Sequence, residues 1–175
     1  MIIPRVCWDP LGEYQEFGEA LGLKELRAAY GAHWPREHAP GERVWTFWTD
    51  TDPRNCEADV PDYATKVGWL SLTWDPRSSV YWRAIGVYPA HQNQQHGTTM
   101  AKWSEGWCFS LGNATATALM VEVLDTNPVH LDHWYRKQDW QPAGEIVLPG
   151  APISYLFALT RLEWAARNLR FHELP

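Results

Sequence analysis

This sequence of 175 residues lacks long hydrophobic runs, paired cysteine motifs and an excess of basic side chains. No stretch approaches the ~20 consecutive apolar residues that a membrane-spanning helix needs, and the first residues carry no apolar segment of the kind that directs secretion. The three cysteines, Cys7, Cys56 and Cys108, are far apart and form no Cys-x-x-Cys pair, which disfavours a disulfide framework or a zinc site. We therefore expect a soluble cytoplasmic protein with reduced thiols and no membrane partner.

The charge balance argues against a nucleic-acid partner. A formal net charge of −6 means that the chain as a whole lacks the positive potential that attracts a phosphate backbone. Twelve tryptophans are unusual, but they are spread from Trp8 to Trp164. Packing in a core is the simpler interpretation of them, and a surface that stacks bases is the alternative. The length and the 45% hydrophobic content suit one globular domain over residues 1–175.

The stretch over residues 80–111 combines a strand, a polar loop and a helix. Val80–Tyr88 is rich in aliphatic and aromatic residues, as strands are, and ends before Pro89. After a polar turn the sequence reaches Gly97 and resumes with helical periodicity. The apolar stripe of this helix consists of Met100, Trp103, Trp107 and Leu111. The loop thus meets a helix N-terminus, whose unpaired N–H groups and dipole favour phosphate binding.

The remaining pattern predicts an α+β (mixed α/β) fold. Strands are predicted over Ile2–Trp8, Arg43–Thr49, Thr65–Trp74, Ala114–Leu124, Asp139–Leu148 and Ile153–Leu162, and helices over Gly12–Trp34 in two pieces, after Asn127, and over Leu162–Leu169. The strand that precedes Val80 forms an antiparallel hairpin with Val80–Tyr88. The helix that follows Gly97 provides one parallel crossover.

The segment Val87-Tyr88-Pro89, followed by Gln92-x-x-Gln95-x-Gly97, resembles motif A of the GNAT superfamily, the acetyl-CoA-dependent N-acetyltransferases. In that family this segment wraps the pyrophosphate of coenzyme A. The resemblance implies a cofactor site made of Val87, Gln92, Asn93, Gln94, Gln95, His96, Gly97, Thr98 and Thr99. Gln95 stands where the family has the first glycine of the motif. That departure either weakens binding or supplies an amide donor to a phosphate.

A second segment resembles motif B of the same family: Val121-Glu122-Val123, then Asn127, then Tyr135-Arg136-Lys137-Gln138-Asp139-Trp140. The resemblance implies that Asn127 contacts the pantetheine arm and that Tyr135 protonates the departing thiolate. Asp139 stands where the family usually has glycine. The gap from Asn127 to Tyr135 is one residue longer than usual, so Trp134 competes for the tyrosine position.

The resemblance implies a GNAT-like fold, in which helices flank a mostly antiparallel twisted sheet with one parallel, splayed strand pair. The order of predicted elements agrees with it over nearly the whole chain. The implied activity is transfer of an acetyl group from acetyl-CoA to a primary amine of unknown size, by direct attack in a ternary complex. Homodimer formation is common in the family. The alternatives are another acyl donor, an amine on a protein or modified nucleobase, or a non-catalytic GNAT-like binding module.

The general base is left open by the sequence. Candidates are Glu122, His130, His133 and the carboxylates between Asp50 and Asp62. Glu122 matches a common family residue, for which a structural role is the simpler interpretation. Histidine has the intrinsic pKa that suits a base. Family members often have a glutamate on the strand before motif A, where this chain has Tyr81.

Other polar clusters have simpler interpretations. Neither the group His130, Asp132 and His133 nor the acidic loop between Asp50 and Asp62 has the spacing of known metal sites. No metal is therefore expected. Glu13, Glu16 and Glu19 are expected to form a solvated helix face, with attraction of a cationic amine as the alternative. Cys108 lies on the helix stripe and is expected to be a core thiol.

Overall fold

The computed structural model describes residues 1–31, 37–49, 65–127 and 131–172. The elements in chain order are β1 (Ile2–Val6), α1 (Pro10–Leu21), α2 (Leu23–Tyr30), β2 (Glu42–Thr49), β3 (Thr65–Asp75), β4 (Val80–Val87), α3 (His96–Ser110), β5 (Ala118–Leu124), α4 (Leu131–Lys137), β6 (Gln141–Ile146), β7 (Ser154–Thr160) and α5 (Arg161–His172). The predicted acidic loop between Asp50 and Asp62 and the candidate His130 lie outside the described residues. Within the described ranges, no helix has the length and apolar character to cross a membrane.

The seven strands in the described ranges form one sheet in the order β1-β2-β3-β4-β5-β7-β6. The strands β4 and β5 are parallel, and every other neighbouring pair is antiparallel. The helix α3 makes the crossover between the parallel strands, as the sequence predicts. This confirms the mixed α/β class and the mostly antiparallel sheet.

Several element boundaries differ from the sequence prediction by a few residues, and two of the differences have a clear local cause. The strand predicted from Ala114 begins four residues later, because Asn113 organises a turn in which its side chain accepts from the N–H of Thr115 at 2.9 Å. The strand predicted from Asp139 begins at Gln141, because Asp139 adopts a left-handed conformation with φ of 59° after α4. The predicted break between α1 and α2 falls at Gly22, with φ of 89°.

Aromatic side chains pack against β4 on the face of the sheet that α1 and α2 cover. Trp69 is fully buried there, with its ring 4.9 Å from Tyr14 and 5.6 Å from Phe17. A Cβ at Gly86 would lie 2.4 Å from the Trp69 ring nitrogen, so only glycine fits where Trp69 crosses β4. Most of the buried tryptophans serve the core, which agrees with the packing interpretation.

The prediction that Glu13 belongs to a solvated helix face is wrong. Glu13 is 5% exposed and accepts hydrogen bonds from Tyr88 and Lys66, each at 2.8 Å. Burial alone would lower the pKa of Lys66, but its hydrogen bonds with Glu13 and Glu16 raise it. Burial and the Glu13 carboxylate raise the pKa of Tyr88. These contacts attach α1 to the end of β4.

Candidate active site

A gap opens between β4 and β5 halfway along the two strands. Their ladder ends at the pair Arg83 and Val121, although β4 continues to Val87. The N–H of Tyr88 bonds to Val67 on β3 at 2.9 Å, so even-numbered residues of β4 face β3. By strand alternation, Ile85 and Val87 direct their backbone N–H and C=O groups toward the gap. The Ile85 carbonyl already accepts a hydrogen bond from Tyr30, and the Val87 carbonyl accepts one from Gln92. The backbone N–H groups are therefore what this edge offers to an extended ligand chain that carries amide carbonyls.

The N-terminus of α3 lies beside the end of β4. Gln95 is its N-cap residue and makes no side-chain capping bond. Within the described ranges, the N–H groups of His96, Gly97 and Thr98 have no hydrogen-bond acceptor, and the first bond runs from Thr99 to the Gln95 carbonyl at 3.0 Å. Free donors beside a helix dipole favour an anion, and these three N–H groups are called the cradle below.

Gly97 sits where the cradle meets β4. A Cβ added there would lie 3.5 Å from Val87, which is an ordinary contact. Packing of the protein therefore does not require glycine at this position. The missing side chain leaves the backbone here accessible to close approach.

Two glutamine side chains of the loop before α3 bond to nearby backbone, one at the end of β4 and one within the loop. Gln92 donates to the Val87 carbonyl at 3.2 Å, and Gln94 donates to the Ala90 carbonyl at 3.1 Å. The rings of His91 and His96 are 6.0 Å apart. Burial, together with the nearby His91, lowers the pKa of His96. The positive potential of the cradle thus comes from backbone N–H groups rather than from a charged His96.

Both departures from the family's glycines keep a backbone conformation that suits glycine. Gln95 has φ of 63° and Asp139 has φ of 59°, both in the left-handed region. The loop shape is therefore retained at these positions at some conformational cost.

Replacing Gln95 with glycine is expected to raise the free energy of unfolding by about 0.5–1 kcal/mol, because glycine adopts φ of 63° without strain. Urea unfolding measures the change. The matched control is Gln94→Gly, since Gln94 has no positive φ, and this variant should lose stability. Equal losses in both variants would contradict the prediction.

The gap begins at the pair Arg83 and Val121, and we call this point its vertex. Tyr135 lies at the vertex, on the α3 side of the sheet. It is 1% exposed, and its hydroxyl accepts a hydrogen bond from Arg83 at 3.0 Å. Arg83 is the last β4 residue that pairs with β5. Trp134 is only half-buried, with its ring 4.8 Å from that of Tyr135. Of the two residues that compete for the tyrosine position, Tyr135 is therefore the one that reaches the vertex.

The other side of the gap is covered by α2. Tyr30 donates to the Ile85 carbonyl at 2.9 Å, and Thr126 donates to the Ala28 carbonyl at 2.8 Å, so α2 bridges the two separated strands. Glu122 is exposed and alternates with the buried Val121 and Val123, which puts it on the α2 side.

The remaining candidates have separate locations. Asn127 follows β5 and is 7% exposed, with its N–H donating to the Leu124 carbonyl. Tyr81 belongs to the paired half of β4 and its hydroxyl accepts from the N–H of Asn113, so it does not reach the gap. His133 has a side chain 74% exposed.

Two residues of this site were not identified from the sequence. Arg83 is the one charged residue in Val80–Val87, and that charge within an apolar strand was an available signal. Tyr30 offered no such signal, because its role depends on where α2 lies across the sheet.

A parallel strand pair that separates beside a helix N-terminus is the arrangement that the two motifs lead us to expect. The profile of the Acetyltransferase (GNAT) family matches residues 21–140. The chain belongs to this family and is an acyltransferase. No curated protein matches the sequence.

Solved structures agree with this fold at low sequence identity. Spermidine N-acetyltransferase from Vibrio cholerae, in complex with CoA and spermine, gives a TM-score of 0.67 at 11% identity, covering 94% of this chain and 98% of that chain. The spermidine/spermine N-acetyltransferase from the same organism with manganese ions gives 0.63 at 14% identity, covering 95% and 96%. A domain from Methanocaldococcus jannaschii DSM 2661 gives 0.63 at 10% identity, covering 91% and 99%. At these identities the similarity establishes the fold alone.

Proposed function

We propose that this protein transfers an acetyl group from acetyl-CoA to a primary amine, by direct attack in a ternary complex. The observation that carries the proposal is the gap between β4 and β5, which opens after Arg83 and Val121 beside the N-terminus of α3. Family membership supports the same activity.

The residues around the gap fit acetyl-CoA. The free N–H groups of His96, Gly97 and Thr98 suit the pyrophosphate, and the edge at Ile85 and Val87 suits the amide-containing pantetheine arm. Asn127 is the further candidate for that arm, as motif B implies. When bound, acetyl-CoA supplies an acetyl group that its thioester has activated for attack.

Tyr135 is proposed to donate a proton to the departing sulfur. Because a guanidinium has no acceptor, the Tyr135 hydroxyl must accept from Arg83 in their 3.0 Å contact. No other acceptor holds its proton within the described part of the chain, so the proton is available for transfer. At 1% exposure the hydroxyl is also shielded from bulk water.

Glu122 is proposed to receive the proton that the amine loses, directly or through water. It is exposed next to the point where the strands separate, on the side of the sheet opposite Tyr135. Proton donor and acceptor would then act from opposite faces of the gap. His130, outside the described residues, is the alternative base.

An acyl intermediate on Cys108 has little support. Burial raises the pKa of Cys108 to about 12, even though the charges of Arg161 and Arg83 act in the opposite direction. A thiol in that state is a poor nucleophile near neutral pH. Direct attack by the amine is therefore the preferred route.

A cationic polyamine is the first acceptor to test. The net charge of −6 favours cationic ligands, and the structural neighbours include an acetyltransferase bound to spermine. A panel of spermidine, spermine, a small alkylamine and a lysine peptide would separate small acceptors from macromolecular ones. The readout is release of the free CoA thiol.

Acetyl-CoA at 100 times its Kd is expected to stabilise the protein by about 2.7 kcal/mol. For a domain of this size, the melting temperature should rise by about 5–10 °C. Differential scanning fluorimetry with acetyl-CoA, CoA and a longer acyl-CoA measures this shift. A shift only with the longer acyl-CoA would favour another donor, and no shift with any of the three would overturn the proposal.

A further inference from the structure

Arg83 is a buried cation at the vertex of the gap. We infer that it is a positioning residue for acyl transfer: it holds the Tyr135 hydroxyl and stabilises the negative charge left on that oxygen when the proton passes to the leaving thiolate. This inference rests on the proposed function and adds a residue to its proton-donor side.

The surroundings of Arg83 are neutral. Its side chain donates to the Ala101 carbonyl at 3.3 Å, to the Ser104 hydroxyl at 3.0 Å and to the Tyr135 hydroxyl at 3.0 Å. Its guanidinium carbon lies 4.5 Å from the centre of the Trp140 ring. Arg83 is 4% exposed, and among the described residues no carboxylate lies within ion-pair distance of it. A cation is expensive to bury without a counter-charge.

Glu105 is connected to Arg83 through Trp140, but its carboxylate binds other groups. Glu105 accepts a hydrogen bond from the Trp140 ring nitrogen at 3.2 Å and lies 3.6 Å from Arg167. The Trp140 ring, which Arg83 stacks on, thus connects Arg83 to Glu105 without an ion pair between them. The Nε of Arg83 is buried and has no acceptor in the described part of the chain. The positive charge therefore remains available to an anion that forms at the vertex.

The hydrogen bond between Arg83 and Tyr135 indicates that this anion is the Tyr135 phenolate. Arg83 can only donate, so the Tyr135 oxygen is the acceptor both before and after it loses its proton. A hydrogen bond to a charged oxygen is stronger than one to a neutral oxygen. The contact should therefore strengthen as the phenolate forms, which is the differential stabilisation that accelerates a reaction.

The step balances without an added reagent. The amine nitrogen forms the new C–N bond to the acetyl carbon, and the C–S bond breaks with its electron pair going to sulfur. Sulfur takes the proton of Tyr135 and leaves as the neutral thiol. The proton lost by the amine returns to the Tyr135 phenolate through Glu122 and water, so the enzyme ends in its starting state.

Arg161 serves as the control for Arg83, because its guanidinium also bonds to the protein but has only a structural role. It donates to the carbonyls of Ala116 and Phe109, each at 2.8 Å, at the far end of α3. Its contacts hold loop and helix backbone and none reaches Tyr135. Its replacement tests what loss of a structural guanidinium does to this protein.

The experiment is a double-mutant cycle on kcat in the full-length protein, using Arg83→Met, Tyr135→Phe and the double variant. Values are normalised to the number of acetyl-CoA sites measured by calorimetric titration. Arg83→Met should lower kcat about 10- to 100-fold with Tyr135 present, but less than about 3-fold in the Tyr135→Phe background. Arg83→Lys, which keeps the charge, should retain more activity and provides a second variant if methionine prevents folding. Arg161→Lys should change kcat by the same small factor in both backgrounds.

Other results would overturn either the role inferred for Arg83 or the proposed function. Losses from Arg83→Met and Tyr135→Phe that multiply, or an Arg83→Met variant with wild-type kcat, would overturn this inference and leave the proposed function standing. Wild-type protein that acetylates no amine of the panel would overturn the proposed function, and this inference with it.

Discussion

Replacing Gly97 with tryptophan is expected to weaken acetyl-CoA binding at least about 100-fold, or by about 2.7 kcal/mol. The side chain would start beside Val87, in the space in front of the free N–H groups that begin α3. A ligand phosphate and an indole cannot both occupy that cradle. The fold should survive, because a Cβ at Gly97 makes only an ordinary 3.5 Å contact.

Calorimetric titration and thermal unfolding together measure the effect, since binding should be lost while the melting temperature without ligand stays near that of the wild type. The control is Gly106→Trp on the same helix, where an added Cβ meets nothing within 4 Å. This control should bind acetyl-CoA normally. Undiminished binding by Gly97→Trp would show that the cofactor does not use the N-terminus of α3.

The order of elements could be predicted from the sequence because hydrophobic periodicity and turn residues are local signals. The stretch over residues 80–111 shows this well, since the strand, the loop and α3 all occur near their predicted positions. The two residues that replace family glycines were recognised as departures. Their left-handed backbone was not predictable, because φ at Gln95 and Asp139 is imposed by the elements on either side.

The partners of buried charges could not be predicted, because they are distant in sequence. Glu13 reads as part of a solvated helix face until Lys66 and Tyr88 meet it in the fold. Arg83 reads as an anomaly within a strand until Tyr135, 52 positions away, accepts its hydrogen bond. Helical and strand patterns indicate which face of an element is buried, but not which polar groups meet there. The chemistry proposed for this site depends on contacts between polar groups that are distant in sequence.

Replacing Tyr135 with phenylalanine is expected to lower kcat about 100-fold while leaving the Kd for acetyl-CoA unchanged, which is the low end of the effect of a general acid. Phenylalanine fills the same space between Trp140 and Phe157 and removes only the hydroxyl. Stability should fall by about 1 kcal/mol, because Arg83 loses one acceptor. Steady-state kinetics and calorimetric titration with acetyl-CoA separate the two parameters.

The matched control is Trp134→Phe, on the same helix and one residue away. Its ring packs edge to face with that of Tyr135, and its side chain is half-buried. The control should change kcat by no more than about 3-fold, since indole offers no proton near neutral pH. If Trp134→Phe lost activity and Tyr135→Phe did not, the longer spacing after Asn127 would have exchanged the two positions. If neither variant lost activity, the departing thiolate would not need an acid from α4, and Arg83 would have no phenolate to stabilise.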